Sequence, residues 1–144
     1  MAAPRRRYLD NTPGQLHVWQ WQGGQGALPP MVCLPPVPYG GRFFDSFAQA
    51  YDGSVWSADL PGYGFSDALV DPPTVHGYTD AMTPLLKAPA QPVWLAGFHS
   101  GALVAMAKTL DQAKAVLTFL DAVSEKQVRS AAAPLHLCLA SNAY

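Results

Sequence analysis

Apolar and polar positions along this chain alternate between two periods. Residues 15–22 (QLHVWQWQ) set Leu16 and Val18 on one side and His17 and Trp19 on the other, which predicts a strand near a sheet edge. Met31–Leu34, Ser54–Ala58, Val93–Ala96, Ala115–Leu120 and Leu135–Ala140 are short, mostly apolar runs, as strands buried on both faces require. Helical spacing fills the gaps between them. Arg42–Tyr51 carries Phe43, Phe44, Phe47 and Ala48 on one stripe, and Pro72-Pro73 opens a helix from about Thr74 to Leu86. The Ala-rich stretch Ala102–Leu110 and the segment Val123–Ala132 also read as helices. Strands alternating with helices imply βαβ units, hence an α/β fold with a mostly parallel sheet and helices on both faces. No internal repeat or linker divides the chain, so residues 1–144 form a single domain. In such sheets, function gathers at the carboxyl ends of the strands.

Composition adds three constraints. The chain is 49% hydrophobic and 13% charged, against a usual charged share of about a quarter, which points to apolar surface covered by a partner subunit. A net charge of −1 gives no field to recruit nucleic acid or an acidic membrane, and no run approaches the ~20 apolar residues of a membrane span. Arg5-Arg6-Arg7 reads as a solvated amino-terminal tail, and the turn-like Tyr8-Leu9-Asp10-Asn11 after it excludes a signal peptide. Cys33 and Cys138 lie in apolar strand-like runs and read as buried small hydrophobes, without the C-x-x-C spacing of a metal site. The four histidines show no ligand pattern either, so neither metal nor organic cofactor is expected. The expected compartment is the cytoplasm.

Asp59-Leu60-Pro61-Gly62-Tyr63-Gly64-Phe65-Ser66-Asp67 resembles the DxPGxGxSD loop that follows the fourth strand of α/β-hydrolases. Gly97-Phe98-His99-Ser100-Gly101 falls where that family places its G-x-S-x-G nucleophile elbow, between strand and helix. Arg7–Asp10 and Pro13–His17 are similar to its amino-terminal hairpin. The resemblance runs from about Tyr8 to Asp121, and it implies a shortened α/β-hydrolase core without the lid or the final strand. Some sequences of this superfamily carry a similar G-x-H-[ST]-G elbow.

The elbow turn needs small residues two before and two after its apex. Gly97 and Gly101 satisfy that need only with His99 at the apex, because Ser100 would put Phe98 and Ala102 at the flanking sites. An imidazole there is available as base or nucleophile. Ser100 opens the following helix, and its backbone N–H is an oxyanion-type donor. Which of His99 and Ser100 reacts stays open, since neighbours on a helix do not face each other. The family draws its second donor from the loop after the third strand. There Pro35, Pro36 and Pro38 lack N–H groups, leaving Val37 or Tyr39.

The resemblance also implies an acid and a histidine. After Leu135–Ala140 the chain reads Ser141-Asn142-Ala143, with no carboxylate. Some members place the acid one strand earlier, and Phe119-Leu120-Asp121 matches that pattern, so Asp121 is the candidate acid; its alternative role is to cap the next helix. His17 and His136 read as packing or edge residues within strands, and His76 as exposed near a helix start.

Two functions from different classes follow. One is a weak hydrolase of small carboxylic esters, using His99, Ser100 and Asp121 with Val37 and Ser100 as backbone donors. The other is a non-catalytic pseudo-hydrolase that binds a small acyl or ester ligand or a protein. The Leu135–Ala140 strand, apolar and uncharged, is expected at the sheet edge, where it would pair with a second copy in a homodimer.

Overall fold

The computed structural model describes residues 3–12, 14–23, 28–70, 72–112 and 135–140, with 109–112 and 135–140 described by backbone alone. The strands are β1 (Arg5–Asp10), β2 (Gln15–Trp21), β3 (Met31–Leu34), β4 (Val55–Ala58), β5 (Val93–Phe98) and β6 (Leu135–Ala140). The helices are α1 (Asp45–Ala50), α2 (Val75–Ala81), α3 (Thr83–Lys87) and α4 (Ser100–Gln112), with a 3-10 turn at Gly41–Phe44 leading into α1. The strands form one sheet in the order β1-β2-β4-β3-β5-β6. β1 and β2 make an antiparallel hairpin, β2 runs antiparallel to β4, and β4, β3, β5 and β6 are parallel in turn.

Strand alternation sends successive side chains to opposite faces and so divides the core in two. On one face Leu16, Val18, Val32, Leu34, Trp56 and Leu95 pack with Met82, Leu85, Val104 and Ala105 from the segments α2 to α4. On the other, Trp21, Met31, Cys33 and Val55 pack with Ala48 of α1. Helices therefore cover both faces, as the strand pattern predicts. From β3 the chain moves out through α1 to β4, then returns past β3 to β5. That reversal opens a crevice between the carboxyl ends of β3 and β5.

Four local expectations change. Arg5–Arg7 are no tail: they are the first half of β1, pairing with Gln20, Trp19 and Val18. Their side chains stay exposed, so the edge of the sheet takes a basic run without burying charge, and the Arg7 guanidinium lies 5.5 Å from the Trp56 ring centre. The helix expected from Thr74 to Leu86 is two helices. Thr74 caps α2 through its Oγ1, which accepts the Gly77 N–H at 3.0 Å. Pro84 has no N–H and crowds the carbonyl four residues earlier, so the chain breaks at Met82 and restarts with Pro84 in the first turn of α3.

The 42–51 helix is a 3-10 turn followed by only six α-helical residues. The tighter turn shifts Phe43 off the expected stripe, and Phe43 and Phe47 stay 42% and 40% exposed while Ala48 is buried. Finally, β6 pairs directly with β5, from Val93 opposite Leu135 to Phe98 opposite Ala140. The resemblance implies 115–120 as the earlier of the two carboxyl-terminal strands; two apolar runs of equal length are interchangeable by pattern alone. The strand expected at 115–120 and the helix at 123–132 lie outside the described residues, as does Asp121. Among the described residues no helix is long and apolar enough to cross a membrane.

Candidate active site

β5 ends at Phe98 and α4 begins at Ser100, which leaves His99 as the single turn residue between them. His99 has φ 53°, a left-handed conformation that costs a non-glycine residue about 1 kcal/mol or more. Its side chain is exposed. The flanking glycines are sterically required. A Cβ at Gly97 would run into the backbone of Gly101 and Ala102, and one at Gly101 would overlap the carbonyls of Leu34 and Pro35. The turn thus sets an exposed histidine at the carboxyl end of β5.

The start of α4 supplies donors. The His99 carbonyl accepts the N–H groups of Ala102 (3.0 Å) and Leu103 (3.3 Å). Ser100 and Gly101, as the first residues of the helix, have no carbonyl one turn earlier. Across the crevice, the prolines of the β3 loop leave two amides. The Tyr39 N–H turns back to the Pro36 carbonyl at 2.9 Å. The Val37 N–H donates to the Ser100 hydroxyl oxygen at 2.8 Å. The expected second oxyanion donor is thus engaged by a side chain of the elbow itself.

An apolar rim flanks this turn. The Phe98 ring lies 5.4 Å from Phe43, which lies 5.5 Å from Tyr39. Tyr39 is 58% exposed, so the rim faces solvent beside His99.

Known structures share this framework. An α/β hydrolase from Novosphingobium aromaticivorans superposes with a TM-score of 0.66 at 26% identity, covering 77% of this chain and 41% of its own. The thioesterase domain from the curacin biosynthetic pathway matches with a TM-score of 0.68 at 22% identity, over 77% and 43%. A lidless α/β serine hydrolase from Xanthomonas campestris matches with a TM-score of 0.60 at 20% identity, over 77% and 57%. The chain has the α/β-hydrolase fold. No protein-family model matches it, and neither does any curated protein sequence. It spans less than three fifths of the length of these neighbours, in keeping with a shortened α/β-hydrolase core.

Within this α/β-hydrolase fold the loop motif also anchors a buried polar cluster. Asp59, 3% exposed, is the first residue of the DxPGxGxSD loop. Its Oδ1 accepts the Gly41 N–H at 2.7 Å and lies 3.4 Å from the Trp19 indole nitrogen. Its Oδ2 accepts the Phe65 N–H at 3.1 Å and lies 2.9 Å from His17 Nδ1. A carboxylate only accepts, so this His17 nitrogen carries the hydrogen. Ser66 completes the knot: its hydroxyl accepts the His17 N–H and donates to the Asp59 carbonyl. His17 is a buried packing residue, as its strand pattern predicts, and its partner was invisible because 42 residues separate the two. The signal that could have found Asp59 is the loop motif itself.

The other candidates fall elsewhere. His76 is exposed in the first turn of α2, and His136 lies in β6. A broad surface depression lined by Asp10, Asn11, Asp80, Thr83 and Lys87 shares no residue with the elbow. Among the described residues, no three His, Cys, Asp or Glu side chains cluster as a metal site requires. Burial raises the Tyr51 hydroxyl above the usual tyrosine range, with a further push from Cys33, and raises Tyr78 likewise with help from Tyr63.

Proposed function

We propose that this protein is a weak hydrolase of small carboxylic esters, with His99 as its reactive group. The observation that carries the reading is the exposed histidine on a strand-to-helix turn whose backbone is strained, set beside the first amides of a helix. In the proposed reaction, His99 takes a proton from water and the water oxygen attacks the ester carbonyl carbon. The Ser100 N–H holds the oxyanion that forms. Collapse breaks the bond to the alcohol, and His99 returns the proton to the departing alkoxide. Asp121 stands in this reading as the carboxylate that holds the second ring nitrogen. No metal or cofactor is needed. The rim of Phe98, Phe43 and Tyr39 favours an ester with an apolar group on one side.

The test is turnover of short-chain nitrophenyl esters by the wild type and His99→Ala. Loss of a general base predicts a fall of about 100-fold or more. Equal rates for the two proteins sink the assignment.

A second reading, a pseudo-hydrolase that binds an acyl or ester ligand, is favoured by one observation. The Val37 amide is already engaged by Ser100 rather than free for an oxyanion. This reading predicts ligand-dependent stabilisation without turnover. Under either reading we place the protein in the cytoplasm as a homodimer. The low charged fraction and the exposed Phe65 and Val70, at 66% and 74%, support a covered surface.

A further inference from the structure

We propose that the Ser100 hydroxyl, rather than the Val37 amide, is the second oxyanion donor of this site. The inference rests on the hydrolase reading above. Three prolines strip the β3 loop of amides at positions 35, 36 and 38, and Tyr39 spends its own on the Pro36 carbonyl. Only the Val37 N–H remains, and it points at Ser100 Oγ from 2.8 Å. A hydroxyl has one proton and two acceptor lone pairs, so receiving Val37 leaves its proton to give. Among the described residues nothing accepts that proton.

The placement is close-packed. The close approach of Gly101 to the Leu34 and Pro35 carbonyls seats the start of α4 against the β3 loop, so Ser100 and Val37 are held within reach. Ser100 also carries the backbone N–H of the first donor. One residue therefore presents two donors beside His99, with Val37 behind the hydroxyl. A hydroxyl that accepts a hydrogen bond is polarised and donates more strongly. Substrate needs to displace nothing for this hole to work, whereas a free Val37 amide would require Ser100 to swing away first. Ser100 is thus a catalytic donor, and Val37 a positioning residue acting through it.

The experiment compares wild type, Ser100→Ala and Ser100→Thr on nitrophenyl acetate, with circular dichroism to check that each is folded. Loss of one oxyanion donor lowers kcat by about 100-fold in enzymes that depend on it fully, so a fall of tenfold or more is expected for Ser100→Ala. KM should stay within about twofold, since the oxyanion exists only in the transition state. Ser100→Thr, which keeps the hydroxyl, should recover most of the rate. A second arm needs no turnover: calorimetric binding of an alkyl phosphonate monoester, whose tetrahedral anionic oxygen mimics the intermediate. Affinity should fall tenfold or more in Ser100→Ala and hold in Ser100→Thr. Equal affinity in wild type and Ser100→Ala overturns the proposal, as does a Ser100→Ala protein at least as active as wild type. Absence of turnover in wild type, with the phosphonate result intact, would instead count against the hydrolase reading alone.

Discussion

Asp59 accepts from Gly41 and Phe65 amides and faces the His17 ring and the Trp19 indole, tying β2, the 3-10 turn and the following loop to one carboxylate. Asp59→Ala would leave several of these donors buried without an acceptor, at about 1–3 kcal/mol for each. We expect a large drop in the urea midpoint of unfolding, and a smaller one for Asp59→Asn, which retains an acceptor oxygen. An Asp59→Ala midpoint equal to that of wild type would refute this role. The glycines show what single positions reveal without a structure. Gly97 and Gly101 fix His99 as the turn residue because only that frame avoids backbone overlap, and φ 53° at His99 agrees. The engagement of Val37 by Ser100 was not readable, since spacing along a chain says nothing about which amide a hydroxyl meets across a crevice.

At the scale of elements, strands β2 to β6 were legible and the helices less so. A strand buried on both faces leaves a continuous apolar run, and β3, with all four residues buried, matches its run end for end. A helix boundary depends on which backbone groups find partners. Hence Pro84 divided one expected helix, and the 3-10 turn displaced Phe43. This difference is measurable. Leu95 in β5 is fully buried, so Leu95→Ala should cost about 2–5 kcal/mol by lost packing and a residual cavity. Phe47 in α1, 40% exposed and stacked on Tyr51 at 5.5 Å, should cost only about 1 kcal/mol when replaced by alanine. Denaturation of the two variants side by side tests the ordering, and a reversed order would contradict the assignment of Phe47 to the surface.

For the whole molecule, the edge of the sheet is the feature with the clearest consequence. Among the described residues β6 pairs with β5 alone, and a second copy is the proposed partner for its other edge. Sedimentation velocity at micromolar concentration should therefore report a dimer, and a monomer there would remove the proposed homodimer.

The fold class, the strand runs of β2 to β6, the two-faced core and the histidine-bearing turn were all present in the amino-acid sequence, because each is written in local periodicity, in glycine sterics or in a contiguous motif. Strand order, the adjacency of 135–140 to β5, the recruitment of Arg5–Arg7 into a strand and the His17–Asp59 pair were settled only in three dimensions. Each of these is a choice among partners distant in the chain. Such choices are made by packing and hydrogen-bond satisfaction over the whole sheet, which no local pattern records.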